Sequence, residues 1–307
     1  MEMSSFLIIG NGAMACFFAA RLAAAGFNIC MTDEWQEGIQ TIQQNGIKLI
    51  TEHDTQTQYV NAIYPTQKVP VCKYALVLVK SWQNVWAAHI LKQSLQPGAI
   101  IITLQNGLGN DRVLKEESGI KHIYSAVTTL GATLVSAGVT RAFDQGNIHL
   151  ENAPALQELT GLFKQAGFNV LPNANIDEII WGKLVVNAVV NPLTALLEVP
   201  NGRLLELPQL NNSITCLINE TLAVARALNI NLPYSDPFAH LQNVLKNTAG
   251  NHSSMYQDMQ RSAPTEIDQI NGEIVRLGIE LGVPTPSHTL ITGLIKAKAA
   301  QKMMEVT

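Results

Sequence analysis

The 307-residue sequence lacks the patterns that mark several large classes of protein. Its four cysteines form no CxxC pair, which argues against a zinc site and a disulfide framework. The seven histidines stand apart without HExxH spacing, so no metal site is predicted. The formal net charge is -4 and no basic cluster occurs, which argues against a nucleic-acid surface. Polar residues interrupt the apolar runs before the ~18 residues that a membrane span needs, so no membrane anchor is predicted.

The remaining composition is that of a globular protein, with 47% hydrophobic and 14% charged residues. The length suffices for two domains of ordinary size. The N-terminal "FLIIG" is predicted to be a buried strand and not a signal peptide. A signal peptide would require a basic region before the apolar run, and none precedes this one. We therefore expect a cytoplasmic protein whose partners are small molecules.

The opening stretch "FLIIGNGAMACFFAARLAAAGFNICMTD" predicts a strand, turn, helix, strand unit. Gly10 permits a tight turn, Gly12 lets the backbone approach a pyrophosphate, and Ala15 fills the third fingerprint position. Asp33 follows about 20 residues later, where a carboxylate can accept hydrogen bonds from the adenosine ribose and repel a 2′-phosphate. The unit predicts a dinucleotide site that favours NADH. A purely geometric glycine turn is the alternative reading.

Further strands are predicted at 74–80, 99–107 and 122–135, with a helix in "VWAAHILKQSL" between the first two. Apolar strands that alternate with helices predict a mostly parallel sheet covered on both faces. Lys80 and Asn106 stand at the carboxyl ends of two strands, the edge where such sheets bind ligands. An ordinary surface lysine and a simple turn are the alternatives for these two residues.

The second half changes character after "GNIHL", and "PNAN" at 172–175 reads as a linker. We predict a dinucleotide-binding domain over 1–172 and a helical domain over 173–307. Asn175 and Glu178 fit a capping box at the start of the first long helix. Ser262 and Pro264 predict a second helix start, which places Glu266 in its first turn.

The stretch "IDEIIWGKLVVNAVVNPLTALL" is apolar on nearly every side, yet Lys183, Asn187 and Asn191 recur every four residues on one stripe. Pro192 should kink the helix just after this stripe. Buried polar groups without partners cost several kcal/mol, so the stripe must meet polar atoms. Neighbouring helices could supply those atoms. Alternatively, a lysine beside a nicotinamide could protonate a carbonyl oxygen while the amides hold a substrate.

The sequence resembles the ketopantoate reductase (2-dehydropantoate 2-reductase) family along essentially its whole length. The resemblance runs through "GNGAMA", "VKSWQ", "LQNGLGN", "WGKLVVNAVVNPLTALLEVPNGRL" and "SSMYQDMQRSAPTEIDQINGEIVRLGIELGVPTP". It implies an α/β fold in which a Rossmann-type domain is followed by an all-helical C-terminal domain like that of 6-phosphogluconate dehydrogenase. It also implies reduction of 2-dehydropantoate to (R)-pantoate with NAD(P)H, a step towards pantothenate and coenzyme A.

The resemblance assigns roles to individual residues. Lys183 matches the catalytic proton donor of the family. The implied substrate-binding residues are Asn187, Asn191, Asn201, Ser254, Glu266 and Asn106. The implied cofactor-binding residues are Gly10, Asn11, Gly12, Ala13, Met14, Ala15, Asp33, Lys80, Gln83, Asn106 and Glu266.

One departure from the family concerns the cofactor. Members specific for NADPH carry an arginine after the second strand, whereas this chain reads "MTDEW", so NADH is favoured here although NADPH is usual in the family. Two other functions stay open, namely reduction of another branched 2-keto acid and dinucleotide sensing without turnover. Oligomeric state also stays open, because the buried helices could cover one another or a second copy in a homodimer.

Overall fold

The protein is described here by a computed structural model that covers residues 5–143 and 145–304. Contacts between Cα atoms divide the chain into two compact units. The first consists of Met1–Gln105 and Asn110–Ile176, and the second of Asn106–Gly109 and Asp177–Thr307. The contact-based division thus falls at 176/177, while the domain boundary at 172/173 stays a prediction.

The first unit alternates strands with helices. Its elements, in chain order, are β1 (Ser5–Ile9), α1 (Ala13–Ala24), β2 (Asn28–Thr32), α2 (Gln36–Asn45), β3 (Ile47–Ile50), β4 (Thr55–Gln58), β5 (Asn61–Ile63), β6 (Cys72–Val77), α3 (Asn84–Ser94), β7 (Leu95–Thr103), α4 (Asn110–Ser118), β8 (Ile123–Ser125), β9 (Val127–Thr128), β10 (Gly131–Ser136), β11 (Val139–Phe143), β12 (Asn147–Glu151), α5 (Gln157–Gln165) and β13 (Asn169–Asn173).

The main sheet has six strands in the order β5-β2-β1-β6-β7-β8, and every neighbouring pair is parallel. This is the strand order of a Rossmann fold. The apolar run of β1 is buried on both faces, with Phe6 and Ile8 in one core and Leu7 and Ile9 in the other. The predicted α/β class and parallel sheet are therefore confirmed.

Two smaller sheets were not predicted, one ordered β10-β11-β3-β4 and the other β13-β12-β9. Strand β4, "TQTQ", is polar and mostly exposed, so it carries no apolar alternation for a sequence pattern to detect. The single strand predicted over 122–135 is wrong, because the chain there leaves the main sheet and contributes β8, β9 and β10 to three different sheets. The linker predicted at 172–175 is also partly wrong, since β13 extends to Asn173.

The second unit is helical, as predicted. Its helices are α6 (Ile176–Leu197), α7 (Asn211–Ala227), α8 (Pro237–Asn247), α9 (Ser254–Gln260), α10 (Glu273–Leu281) and α11 (Pro286–Met304), with 3-10 helices at Asn201–Glu206 and Pro208–Leu210 and a π-helical turn at Asp268–Gly272. Helix α6 is central, because Leu184 and Ala188 enter one hydrophobic core while Val185 and Val189 enter another.

Helix α6 corrects one prediction from composition. By length and composition it is the one helix in the described part of the chain that could cross a membrane. The prediction that every apolar run is too short for a membrane span is therefore wrong for this helix. However, 67% of its most apolar window is buried inside the protein. A buried apolar helix of this kind is typical of the core of a globular unit.

Gly10 gives a test of this fold. Its φ is +128°, and an added Cβ would lie 3.0 Å from the carbonyl carbon and oxygen of Leu78. We expect Gly10→Ala to lower the free energy of unfolding by about 1–3 kcal/mol, because alanine rarely adopts this conformation. Chemical denaturation would measure the loss. Gly12→Ala is the matched control, since an added Cβ there meets no atom within 4 Å. Equal stability of the two variants would contradict the account.

Candidate active site

The turn after β1 is tied to the end of β2 by Asp33. The backbone N–H of Asn11 donates to Oδ2 of Asp33 at 2.7 Å, and the backbone N–H of Trp35 donates to Oδ1 at 3.1 Å. The Asn11 amide also donates to the Trp35 carbonyl at 2.9 Å. Burial raises the pKa of Asp33, and these N–H donors oppose that rise. Both carboxylate oxygens of Asp33 therefore accept backbone N–H groups in the described structure.

A second acid, Glu34 of "MTDEW", was not among the predicted site residues. It is exposed beside Asp33, and its Oε2 accepts a hydrogen bond from Nε2 of Gln83 at 3.2 Å. The same Gln83 accepts the backbone N–H of Lys80 through Oε1 at 3.3 Å. The structure thus brings Lys80, Gln83 and the two acids together at the carboxyl edge of the main sheet. The signal was present in the sequence as the "DE" pair, but only the contact to Gln83 singles out the second acid.

The rest of the "GNGAMA" motif forms the start of α1. Gly12 immediately precedes the 12-residue helix, Ala13 and Met14 open it, and Ala15 is fully buried. Because an added Cβ at Gly12 would meet no atom within 4 Å, the backbone there is open to a ligand. Unpaired N–H groups at a helix N-terminus attract a pyrophosphate. These residues fit a dinucleotide on their own geometry.

The polar stripe of the second unit lies on α6 as its spacing predicts. Lys183 and Asn187 are half-buried and Asn191 is buried, among neighbours that are almost all buried. Burial lowers the pKa of Lys183 to about 8, and the negative charge of Glu266 acts against that lowering. The side-chain amides of Asn187 and Asn191 make no hydrogen bond within the described protein. Neighbouring helices therefore do not satisfy these two amides, which argues against a purely structural polar seam.

Glu266 faces this stripe from the segment that precedes the π-helical turn. Its Oε2 lies 3.5 Å from Nδ2 of Asn106, and the backbone N–H of Leu108 donates to the carbonyl of Gln269 at 2.8 Å. The structure thus brings Asn106, Lys183 and Glu266 together within the second unit. The helix start predicted at Ser262 is wrong: Ser262 adopts a φ of 51°, and helical structure begins after Glu266.

Asn201 and Ser254 are positioned by the loop between α8 and α9. The backbone N–H of Asn201 donates to the Asn251 carbonyl at 2.9 Å, and its Nδ2 donates to the Thr248 hydroxyl at 3.1 Å. Its Oδ1 is buried without a hydrogen-bond partner. Ser253 caps α9, so Ser254 is the first residue of that helix. A buried acceptor without a partner suits a ligand that donates a hydrogen bond.

Thr194 connects this loop to α6, because its hydroxyl donates to the Ser253 hydroxyl at 2.7 Å. The substrate residues predicted from the sequence are therefore all held in one unit. Of the predicted cofactor residues, Gly10 to Ala15, Asp33, Lys80 and Gln83 are held in the other unit, whereas Asn106 and Glu266 belong to the second. Among the residues that the structure describes, no group of three or more His, Cys, Asp or Glu side chains could hold a metal ion. The individual roles stay predictions.

Known proteins match this chain over nearly its whole length. Residues 6–155 match the ketopantoate reductase PanE/ApbA family, and residues 175–299 match its C-terminal domain. The 2-dehydropantoate 2-reductase of Pyrococcus abyssi (strain GE5 / Orsay) is 29% identical, with 95% of this chain and 97% of the relative covered. The same enzyme of Streptococcus pyogenes serotype M1 is 27% identical over the same shares.

Solved structures agree in fold. A ternary structure of D-mandelate dehydrogenase with NADH and anilino(oxo)acetate superposes with a TM-score of 0.91 at 26% identity, covering 97% of this chain and 99% of that chain. A ketopantoate reductase from Ralstonia eutropha JMP134 gives 0.88 at 27% identity, with the same coverage. The protein is thus an oxidoreductase that depends on a nicotinamide dinucleotide and acts on a small keto acid. Within that class, the chain belongs to the ketopantoate reductase family.

The pairing of Lys183 with Glu266 gives a prediction that does not depend on any substrate. We expect the Lys183 amine to titrate near pH 8, and Glu266→Gln to lower this pKa further because an attractive negative charge is removed. Competitive acetylation across pH, read peptide by peptide by mass spectrometry, measures the midpoint. The exposed Lys68 serves as the reference for reagent reactivity. An unchanged midpoint in the Glu266 variant would show that the two groups do not interact.

Proposed function

We propose that the protein reduces the ketone of 2-dehydropantoate to the hydroxyl of (R)-pantoate. The observation that carries the proposal is the polar stripe of α6, in which Lys183 faces Glu266 while Asn187 and Asn191 keep unpaired amides. Family membership supplies the substrate, since relatives that match the whole chain are named 2-dehydropantoate 2-reductase. The product leads towards pantothenate and coenzyme A, and we propose that the enzyme works in the cytoplasm.

The substrate contacts follow from the groups that the second unit presents. The amides of Asn187 and Asn191 can donate to the oxygens of a keto acid, and the buried Oδ1 of Asn201 can accept from its hydroxyl. Ser254, at the first position of α9, can donate to the carboxylate. These groups bind and orient the substrate so that its ketone oxygen meets Lys183.

The dinucleotide supplies a hydride to the ketone carbon when it is bound. Lys183 donates a proton to the oxygen, so the ketone, the reduced dinucleotide and one proton give the alcohol and the oxidised dinucleotide. Lys183 must carry its charge when substrate binds, although burial lowers its pKa to about 8. Glu266 and the substrate carboxylate favour the charged form, and this is the role that we propose for Glu266 towards the lysine.

For the cofactor we propose a preference for NADH. Asp33 and Glu34 place two acids after β2, where a 2′-phosphate would otherwise need a cation. Asp33 already accepts two backbone N–H groups, so Glu34, the more exposed acid, adds to the repulsion of that phosphate. The similar D-mandelate dehydrogenase was solved with NADH.

A second candidate is reduction of a different 2-keto acid. It is favoured by the close superposition with D-mandelate dehydrogenase, which has been solved with anilino(oxo)acetate. Lys183 and the asparagines would act in the same way on any 2-keto acid, because they address the ketone and carboxylate rather than the substituent. A dinucleotide sensor without turnover would instead bind NADH and oxidise none.

A steady-state panel separates these functions. We expect 2-dehydropantoate to give the highest kcat/KM among branched and aromatic 2-keto acids, with NADH preferred to NADPH. Oxidation of the dinucleotide followed by absorbance measures both comparisons. A large preference for NADPH would contradict the argument from the two acids, and a preference for phenylglyoxylate would select the second candidate. Absence of turnover across the panel would favour the sensor.

Replacement of Lys183 tests the proton donor. We expect Lys183→Ala to lower kcat by about 10²- to 10⁴-fold, which is the usual loss of a general acid. In the wild type, kcat/KM for reduction should fall above pH about 8, because the lysine loses its proton there. The exposed Lys246 provides the control, since Lys246→Ala should leave both properties unchanged. Turnover within a few-fold of wild type in Lys183→Ala would refute the assignment.

A further inference from the structure

Pro192 leaves a backbone carbonyl of α6 without its helical donor. Proline has no N–H, so the carbonyl of Ala188, four residues earlier, loses the hydrogen bond that an α-helix normally gives it. This carbonyl lies between Asn187 and Asn191, within the segment that carries the polar stripe. Nδ2 of Asn271 donates to it at 2.8 Å, and both Ala188 and Asn271 are fully buried. A side chain from another segment thus replaces the missing donor.

His288 holds this amide from the other side. Its Nδ1 lies 3.0 Å from Nδ2 of Asn271, and since an amide nitrogen only donates, Nδ1 must accept. Its Nε2 lies 3.0 Å from the carbonyl of Leu217, so that nitrogen must carry the proton. Burial lowers the pKa of His288, which keeps the ring in this neutral form. Glu220 accepts the backbone N–H groups of Ser287 and His288 and so anchors the start of α11.

Asn271 belongs to the π-helical turn that follows Glu266. In this turn Gln269 accepts the backbone N–H of Leu108, which holds the Asn106 loop, and Asp268 pairs with Lys296 at 2.6 Å. The turn therefore contacts the segments that carry Asn106, Glu266 and Lys183. A π-helical turn inside a helix is often found at a functional site.

The other amide atom of Asn271 indicates that stability alone does not explain this residue. Its Oδ1 is buried without a hydrogen-bond partner in the described structure. A buried acceptor left unpaired costs about 1–3 kcal/mol. The amide oxygen thus carries a cost to folding, while both hydrogens of the amide nitrogen are directed at the α6 carbonyl and the histidine.

We propose that Asn271 is a positioning residue, which fixes the π-helical turn of Glu266 against the α6 stripe of Lys183 and is itself oriented by His288. The proposal rests on the roles proposed above for Lys183 and Glu266. Asn271 acts on the reaction through the relative placement of these two groups, and it does not touch the substrate itself.

Asn271→Leu tests the proposal because leucine fills the same space but cannot donate to the Ala188 carbonyl. We expect kcat to fall by about tenfold or more, since a misplacement of about 1 Å can cost about 10²-fold. The KM for NADH should change little. If water stays excluded from the site, the attraction of Glu266 for the lysine charge should weaken. The midpoint of Lys183 acetylation should then fall by about 0.5 pH unit or more, and the pH at which kcat declines on the alkaline side should fall with it.

Pro192→Ala separates positioning from the loss of a helical hydrogen bond. Alanine restores an N–H at position 192 that can pair with the Ala188 carbonyl inside α6, but it does not join α6 to the π-helical turn. The double variant Asn271→Leu/Pro192→Ala should therefore recover stability while its kcat stays low, and recovery of kcat would contradict the positioning role; Pro192→Ala alone gives the baseline. Thr292→Val is the control in α11, because the Thr292 hydroxyl is buried without a partner and its removal should leave kcat and the Lys183 midpoint unchanged. Asn271→Ser is the second variant if the leucine variant fails to fold.

The two readouts separate the possible failures. A folded Asn271 variant with wild-type kcat and an unmoved Lys183 midpoint would overturn the proposal, and so would a loss of kcat with an unmoved midpoint. If the wild type reduces none of the keto acids, the proposed function fails. In that case the acetylation midpoint still reports whether Asn271 couples Glu266 to Lys183.

Discussion

The electrostatic attraction between Lys183 and Glu266, inside an apolar helical unit, is the constraint on which the candidate site depends. Burial favours a neutral lysine and lowers its pKa to about 8, so the amine is half charged near pH 8. The carboxylate opposes this tendency. A lysine held near this balance can give up a proton at ordinary pH and regain it, which is the property that a general acid needs. The surrounding structure therefore matters chiefly through how it places these two groups.

The two units contribute different chemistry. In the first, Asp33 fastens the glycine-rich turn to the end of β2 through two backbone N–H groups, while Glu34 and Gln83 shape the same edge. The open backbone at Gly12 then suits a pyrophosphate. In the second, α6 presents the lysine and two unpaired amides. We propose that the second unit recognises the keto acid, so that this recognition can change without a change in the dinucleotide fold.

The stripe of α6 was predictable because helical periodicity is a local property, and the glycine turn was predictable for the same reason. Asn271 was not, because its importance arises from a carbonyl left free by Pro192, some eighty residues earlier in the chain. Glu34 likewise gains meaning only from Gln83. The start of the Glu266 segment was misplaced because Ser262 adopts a left-handed conformation that ends α9. Strand β4 was missed because an exposed polar strand has no apolar pattern. The proposed identity of the substrate came from the resemblance to a family and not from any pattern of residues.

The most direct test of the central claim, that the polar stripe binds the keto acid, is a calorimetric titration of (R)-pantoate into the enzyme saturated with NADH, where no redox reaction can occur. The account predicts measurable binding to the wild type. Because each lost hydrogen bond to a charged group is worth roughly 1.5–3 kcal/mol, binding should weaken by about tenfold or more in Asn191→Leu and Asn187→Leu. Equal affinity in these variants, with their folding intact, would contradict it.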